Sequence, residues 1–141
     1  MLNNRMDAVN TNMLTDKDKN FVPKVKYNIL KNTSYAICGL KDIINNERSF
    51  QLELIAVAIL LPCIFIIKTN FSNKVILFLT LMLVLIAEII NSAIERVVDL
   101  ITSEHNNLAG KAKDAGSTIV LISIITCSIV WLNIIIYSFA V

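Results

Sequence analysis

The chain is poor in the residues that break regular structure, with three glycines and two prolines in 141 positions. That scarcity excludes a loop-rich all-β fold, a low-complexity chain and a glycine-rich phosphate loop, and it leaves helices. Charge is scarce as well, at 17% against 55% apolar residues, and the mean hydropathy of +0.65 is foreign to an ordinary soluble domain. Thirteen basic and eleven acidic residues give a net charge of +2, without the concentrated basic face that nucleic acid demands, so no nucleic-acid partner is expected. Cys38, Cys63 and Cys127 stand far apart in apolar or small-residue settings, which suggests neither a disulfide framework nor a zinc site. With His105 the only histidine, a histidine metal cluster or a Ser-His-Asp triad would have to be built around one residue in a polar loop.

What the chain does have is long apolar runs. Residues 1–23 are polar, rich in Asn, Asp and Lys, and carry no secretory signal, so they read as a tail. Over residues 24–46, Tyr27, Leu30, Tyr35, Ile37, Leu40, Ile43 and Ile44 recur at mostly helical intervals among Lys24, Lys26, Lys31 and Lys41, the pattern of a basic amphipathic helix on a membrane surface. Three membrane spans are expected after it, at about 50–67, 75–95 and 118–140, within a single domain of residues 24–141. The first contains 14 uncharged residues, with Pro62 inside and Glu53 near its start; the third is charge-free over 24 residues. Eight basic residues precede the first span, two lie between spans one and two, and three lie between spans two and three. Because cytoplasmic segments collect Lys and Arg, the N-terminus is expected in the cytoplasm and the C-terminus on the far side of the inner, or plasma, membrane.

The second apolar run does not stop at a turn but continues into Glu88-Ile-Ile-Asn-Ser-Ala-Ile-Glu95-Arg-Val-Val-Asp99. Glu88, Asn91, Glu95 and Asp99 stand at i, i+3, i+7 and i+11, which puts them on one helical face. Ionisable groups at membrane depth are costly and face protein, metal or substrate, and three spans cover such a face poorly, so a homo-oligomer is expected. A lone carboxylate at the boundary, as Asp99 would be by itself, is commonly just interfacial; the whole row is better explained by metal coordination or proton transfer. Glu88 and Glu95 are about 10 Å apart along a helix, too far to share one ion, so they take distinct roles. The deeper Glu88 suits a general base beside a lipid-borne group. Glu95, beside Arg96 and nearer water, should stay ionised, and with one more carboxylate it would suffice for Mg2+ bound to substrate phosphates.

Residues 103–117 are polar, hold Gly110 and Gly116, and lie between that face and the third span. A nucleotide has room to dock there, with Lys111 and Lys113 as phosphate-holding charges, although both equally suit a positively charged membrane boundary. No Walker or kinase-loop pattern is present.

The Glu88 to Asp99 run, followed by Glu104 and by Ala112-Lys-Asp-Ala-Gly-Ser117, closely resembles the signature of the prokaryotic diacylglycerol kinases. The likeness extends without a gap from about Tyr35 to Ile136 and includes Gly39-Leu40, Asn46-Glu47 and Phe50. It implies an all-α integral membrane protein, three transmembrane helices plus an N-terminal amphipathic surface helix per chain, assembled as a homotrimeric bundle with shared active sites. The implied activity is transfer of phosphate from ATP to the hydroxyl of diacylglycerol with Mg2+, giving phosphatidic acid. Glu88 is then the base and Asn91 its polar neighbour, with Glu47 and Glu95 as Mg2+ ligands. The nucleotide is implied to contact Asn28, Tyr35, Glu47, Glu95, Glu104, His105, Asn106, Lys113 and Asp114, and the lipid Ser49, Phe50, Glu53 and Ser117. Taken alone, Glu47 reads as a solvated carboxylate beside Arg48. Two positions depart from the pattern: Asn28 stands where relatives commonly carry a basic residue, and Gln51 replaces a frequent arginine.

Within the family the lipid divides into diacylglycerol and undecaprenol, and Gly116-Ser117 with Ser103-Glu104 looks more like the diacylglycerol type. From other classes, Glu88 alone would permit a non-enzymatic ion or proton relay, which leaves Glu95, Lys113 and Asp114 without a task. A polar face can also act merely as interhelical glue in a scaffold.

Overall fold

A computed structural model describes residues 29–102 and 104–140. The tail of residues 1–23, the first turn expected of the surface helix and Asn28 lie outside the described residues. Among the described residues there are four helices and no strand: α1 (Ile29–Asn46), α2 (Arg48–Ile66), α3 (Phe71–Ile101) and α4 (Asn107–Ala140). The last three are long and apolar enough to cross a membrane.

The junctions follow from identifiable caps. A single extended residue, Glu47, separates α1 from α2, and the Gln51 side chain donates across it to the carbonyl oxygen of Ile44 at 2.8 Å. Gln51, a departure from the family pattern, therefore satisfies the otherwise orphaned end of α1. Pro62 lies inside α2 without ending it, the helix running on to Ile66. Asn70 caps α3 by accepting from the Asn73 amide at 2.8 Å, and Asn73 Nδ2 donates to Thr69 Oγ1. At the same end, Ser138 Oγ of α4 donates to the Lys68 carbonyl at 2.8 Å, so all three long helices meet at this turn.

The helices run past the apolar stretches that announce them. Helix α3 continues six residues beyond Glu95, because Arg96-Val-Val-Asp-Leu-Ile sustains backbone bonding after hydropathy has fallen. Helix α4 begins at Asn107, eleven residues before the charge-free run starts. Asn106 sets that start by accepting from the amides of Leu108 and Ala109. The region between the second and third spans is thus largely helical, and only a short connection separates α3 from α4.

Helix α3 is the central element, packing against both α2 and α4. Its buried residues, Leu77, Thr80, Leu81, Val84, Ala87, Glu88, Asn91 and Ser92, form one stripe that is mostly apolar in its first half and polar in its second. Leu77 and Leu81 join Val57 and Ile64 of α2 and Trp131 of α4 in the core. In lipid such contacts act by close packing, since hydrocarbon offers no hydrophobic incentive for helices to associate. Helix α4 is apolar all round, and only 11% of its spanning window is buried within the chain, against 44% for α3.

Candidate active site

The polar half of the α3 stripe grades from interior to solvent. Glu88 is 4% exposed and Asn91 8%, Glu95 is half-buried and Asp99 exposed. Glu47 at the α1–α2 junction, Glu53 on α2 and Glu95 all lie within electrostatic range of Glu88, and the Ser49 hydroxyl faces it. Helix geometry alone explains the row on α3; the facing carboxylates come from the α1–α2 corner, which the one-residue break at Glu47 turns toward α3.

Asn91 is held on two sides. Its Nδ2 donates to Glu95 Oε1 at 3.2 Å, while its buried Oδ1 has no partner. Opposite it is Gly116 of α4, where a Cβ would fall 2.5 Å from Asn91 Oδ1. A side chain there would push α4 off α3, so glycine is what permits the close approach.

The aqueous end of the same two helices forms a polar cavity of about 320 Å3, lined among others by Asp99, Glu104, His105, Asn106, Lys113 and Asp114. Lys113 Nζ pairs with Asp99 at 2.6 Å and is also in electrostatic range of Glu95, which links this cavity to the carboxylates. Asn106 has its carbonyl oxygen committed to capping α4, leaving its Nδ2 to donate. Tyr35, exposed on α1, and Ser117, whose hydroxyl bonds back to the Lys113 carbonyl, do not line it. At membrane depth a second cavity of about 510 Å3, bordered by Glu53, Leu60, Val84, Cys127, Ser128 and Trp131, opens between α2, α3 and α4. Glu53 Oε2 and Trp131 Nε1 are buried there without partners. Phe50, expected against the lipid, is 2% exposed and therefore packs inside the chain.

Two readings of charge need correction. Glu47 is not a solvated neighbour of Arg48: its Oε1 accepts from Arg96 Nη2 at 2.8 Å and Nε at 3.1 Å. Nor does Arg96 serve Glu95, because adjacent helix residues point apart. The guanidinium turns to α1, where its Nη1 also meets Asp42 Oδ2 at 2.5 Å. Asp42 and Arg96 stand 54 positions apart, so no local spacing signals the pair. Among the described residues no group of three or more acidic, His or Cys side chains is placed to hold a metal. A Mg2+ ion that takes most of its ligands from phosphates and water requires only one or two carboxylates, and Glu47 and Glu95 each keep an oxygen that accepts no bond, so the donor set fits.

These features describe a helical protein of the membrane with a buried acid below a polar cavity that carries both lysines and carboxylates. Residues 34–135 match the family profile of prokaryotic diacylglycerol kinase, and the chain belongs to that family. It is 43% identical over 103 residues to the diacylglycerol kinase of Escherichia coli K12, covering 73% of this chain and 84% of that protein. The diacylglycerol kinase of Haemophilus influenzae is 36% identical over 103 residues, covering 73% and 87%. An undecaprenol kinase of Bacillus subtilis is 36% identical over 92 residues, covering 64% and 75%. The protein is a lipid kinase of the membrane, a phosphotransferase that uses ATP and an alcohol acceptor.

Proposed function

We propose that this protein phosphorylates the free hydroxyl of diacylglycerol with MgATP, giving phosphatidic acid. The observation that carries the reading is the graded α3 stripe, a buried Glu88 at one end and a polar cavity with Lys113 at the other, joined through Asn91 and Glu95. Phosphoryl transfer needs little covalent participation by protein, so positioning and charge neutralisation carry most of the catalysis.

In this reading Glu88 accepts the proton of the lipid hydroxyl, with Asn91 beside the reacting group. Glu47 and Glu95 would hold Mg2+, which would supply positive charge to offset that of the phosphates. Lys113 supports the phosphates once it exchanges its Asp99 partner for them, while Glu104, His105, Asn106 and Asp114 surround the rest of the nucleotide, together with Tyr35 from the surface helix. The lipid head lies near Ser49, Glu53 and Ser117, and the cavity between Glu53 and Trp131 takes apolar chain. Phe50 contributes as packing behind that head, which its burial supports.

Residues 24–141 form the catalytic domain and residues 1–23 a tail outside it. The chain sits in the bacterial inner membrane with a cytoplasmic N-terminus and an extracytoplasmic C-terminus, and it works as a homotrimer with shared sites. The low burial of α4 within one chain supports such an assembly. The test is MgATP-dependent phosphorylation of diacylglycerol and, separately, undecaprenol in mixed micelles, beside Glu88→Gln. Activity on diacylglycerol that falls at least about a hundredfold in the variant, the scale of a lost general base, is expected. Preference for undecaprenol would move the substrate, and no transfer to either lipid would overturn the reading.

A further inference from the structure

Among the described residues, Arg96 is where α3 grips the α1–α2 corner by charge: its fork spans two carboxylates, Asp42 on α1 and Glu47 at the break. Asp42 is itself braced by Asn46 Nδ2 at 2.6 Å. Glu47 has extended backbone, lies between two helices and caps neither with its side chain, so nothing else among its contacts fixes where its carboxylate points. The guanidinium takes only Oε1 and leaves Oε2 without a hydrogen bond, on a carboxylate that lies within electrostatic range of Glu88.

We infer that Arg96 is a positioning residue for the divalent-cation site: through the Asp42–Arg96–Glu47 bridge it holds the surface helix against α3 and presents the second oxygen of Glu47 to the metal. The inference rests on the assignment of Glu47 as a metal ligand. It also makes a choice of sign. A cation beside a metal site repels the metal, so if Arg96 acted only by charge its removal would tighten binding. At a guanidinium 44% exposed that repulsion is screened, and the loss of geometry prevails.

The experiment uses the full-length protein in lipid nanodiscs, with Mn2+ binding followed by electron paramagnetic resonance and the Mg2+ dependence of turnover measured alongside. Arg96→Gln is expected to weaken Mn2+ binding and raise the KM for Mg2+, each about tenfold, with turnover recovered at saturating Mg2+. Arg96→Lys keeps the charge and gives up the fork, so it retains most of the defect. Asp42→Asn, which preserves shape, shifts both quantities the same way by about threefold and serves if Arg96→Gln fails to fold. Unchanged or tighter Mn2+ binding in Arg96→Gln, or wild-type behaviour in Arg96→Lys, overturns the inference. Glu47→Gln separates the two layers: if it loses Mn2+ while Arg96→Gln does not, only the role of Arg96 falls, and if it keeps Mn2+, the assignment of Glu47 falls as well.

Discussion

Asp42 shows how a single contact gives the surface helix a dependence on pH. The Arg96 guanidinium, and then the Asn46 amide, hold its carboxyl below the usual carboxylate range. A group with a depressed folded pKa contributes stability above its unfolded value, near 4, and loses it as pH falls through the folded one. The tie between α1 and α3 is therefore whole at neutral pH and releases only in acid. Hydrogen exchange of α1 amides should rise below about pH 4 in the natural protein. In Asp42→Asn that acid step should be absent, the exchange being raised already at neutral pH. Nothing in the sequence signals this pair, since its members meet only when the helices fold against each other. Glu88, Asn91 and Glu95, by contrast, were legible because their spacing is the helix's own and their polarity is anomalous where they stand.

The close approach of two helices depends on one missing side chain. Gly116→Ala puts a methyl 2.5 Å from Asn91 Oδ1, and overpacking of this kind costs about 1–3 kcal/mol. A lower Tm in micelles is expected together with a fall in kcat, because the displaced partner is Asn91. A variant at Gly39, which has open space around it, should change neither. Hydropathy revealed the three long helices but not their ends, because it measures affinity for lipid whereas a helix ends where its backbone finds a cap. Asn106 was available in the sequence as such a cap, yet its position before charged residues made it look like part of a loop. The turn at Glu47 carried no glycine or proline to announce it.

For the molecule as a whole, the family likeness starts at residue 34, after the polar tail. A chain beginning at residue 24 should keep kinase activity within about threefold of the full chain in the same micelles, a change under 1 kcal/mol in barrier. A much larger loss would place the tail within the catalytic unit. The long α3 also has a consequence for what the enzyme can recognise. Glu88 stands thirteen residues from the helix end at Ile101, about 20 Å along a rod with no break in it. On the role proposed for Glu88, the rod would work as a depth gauge: an acceptor hydroxyl would be met only on molecules that carry it to that level. Soluble alcohols, however concentrated in the water, should then be poor substrates. Turnover should follow the mole fraction of acceptor in the surrounding amphiphile, so adding inert lipid at constant bulk concentration slows the reaction by dilution in two dimensions.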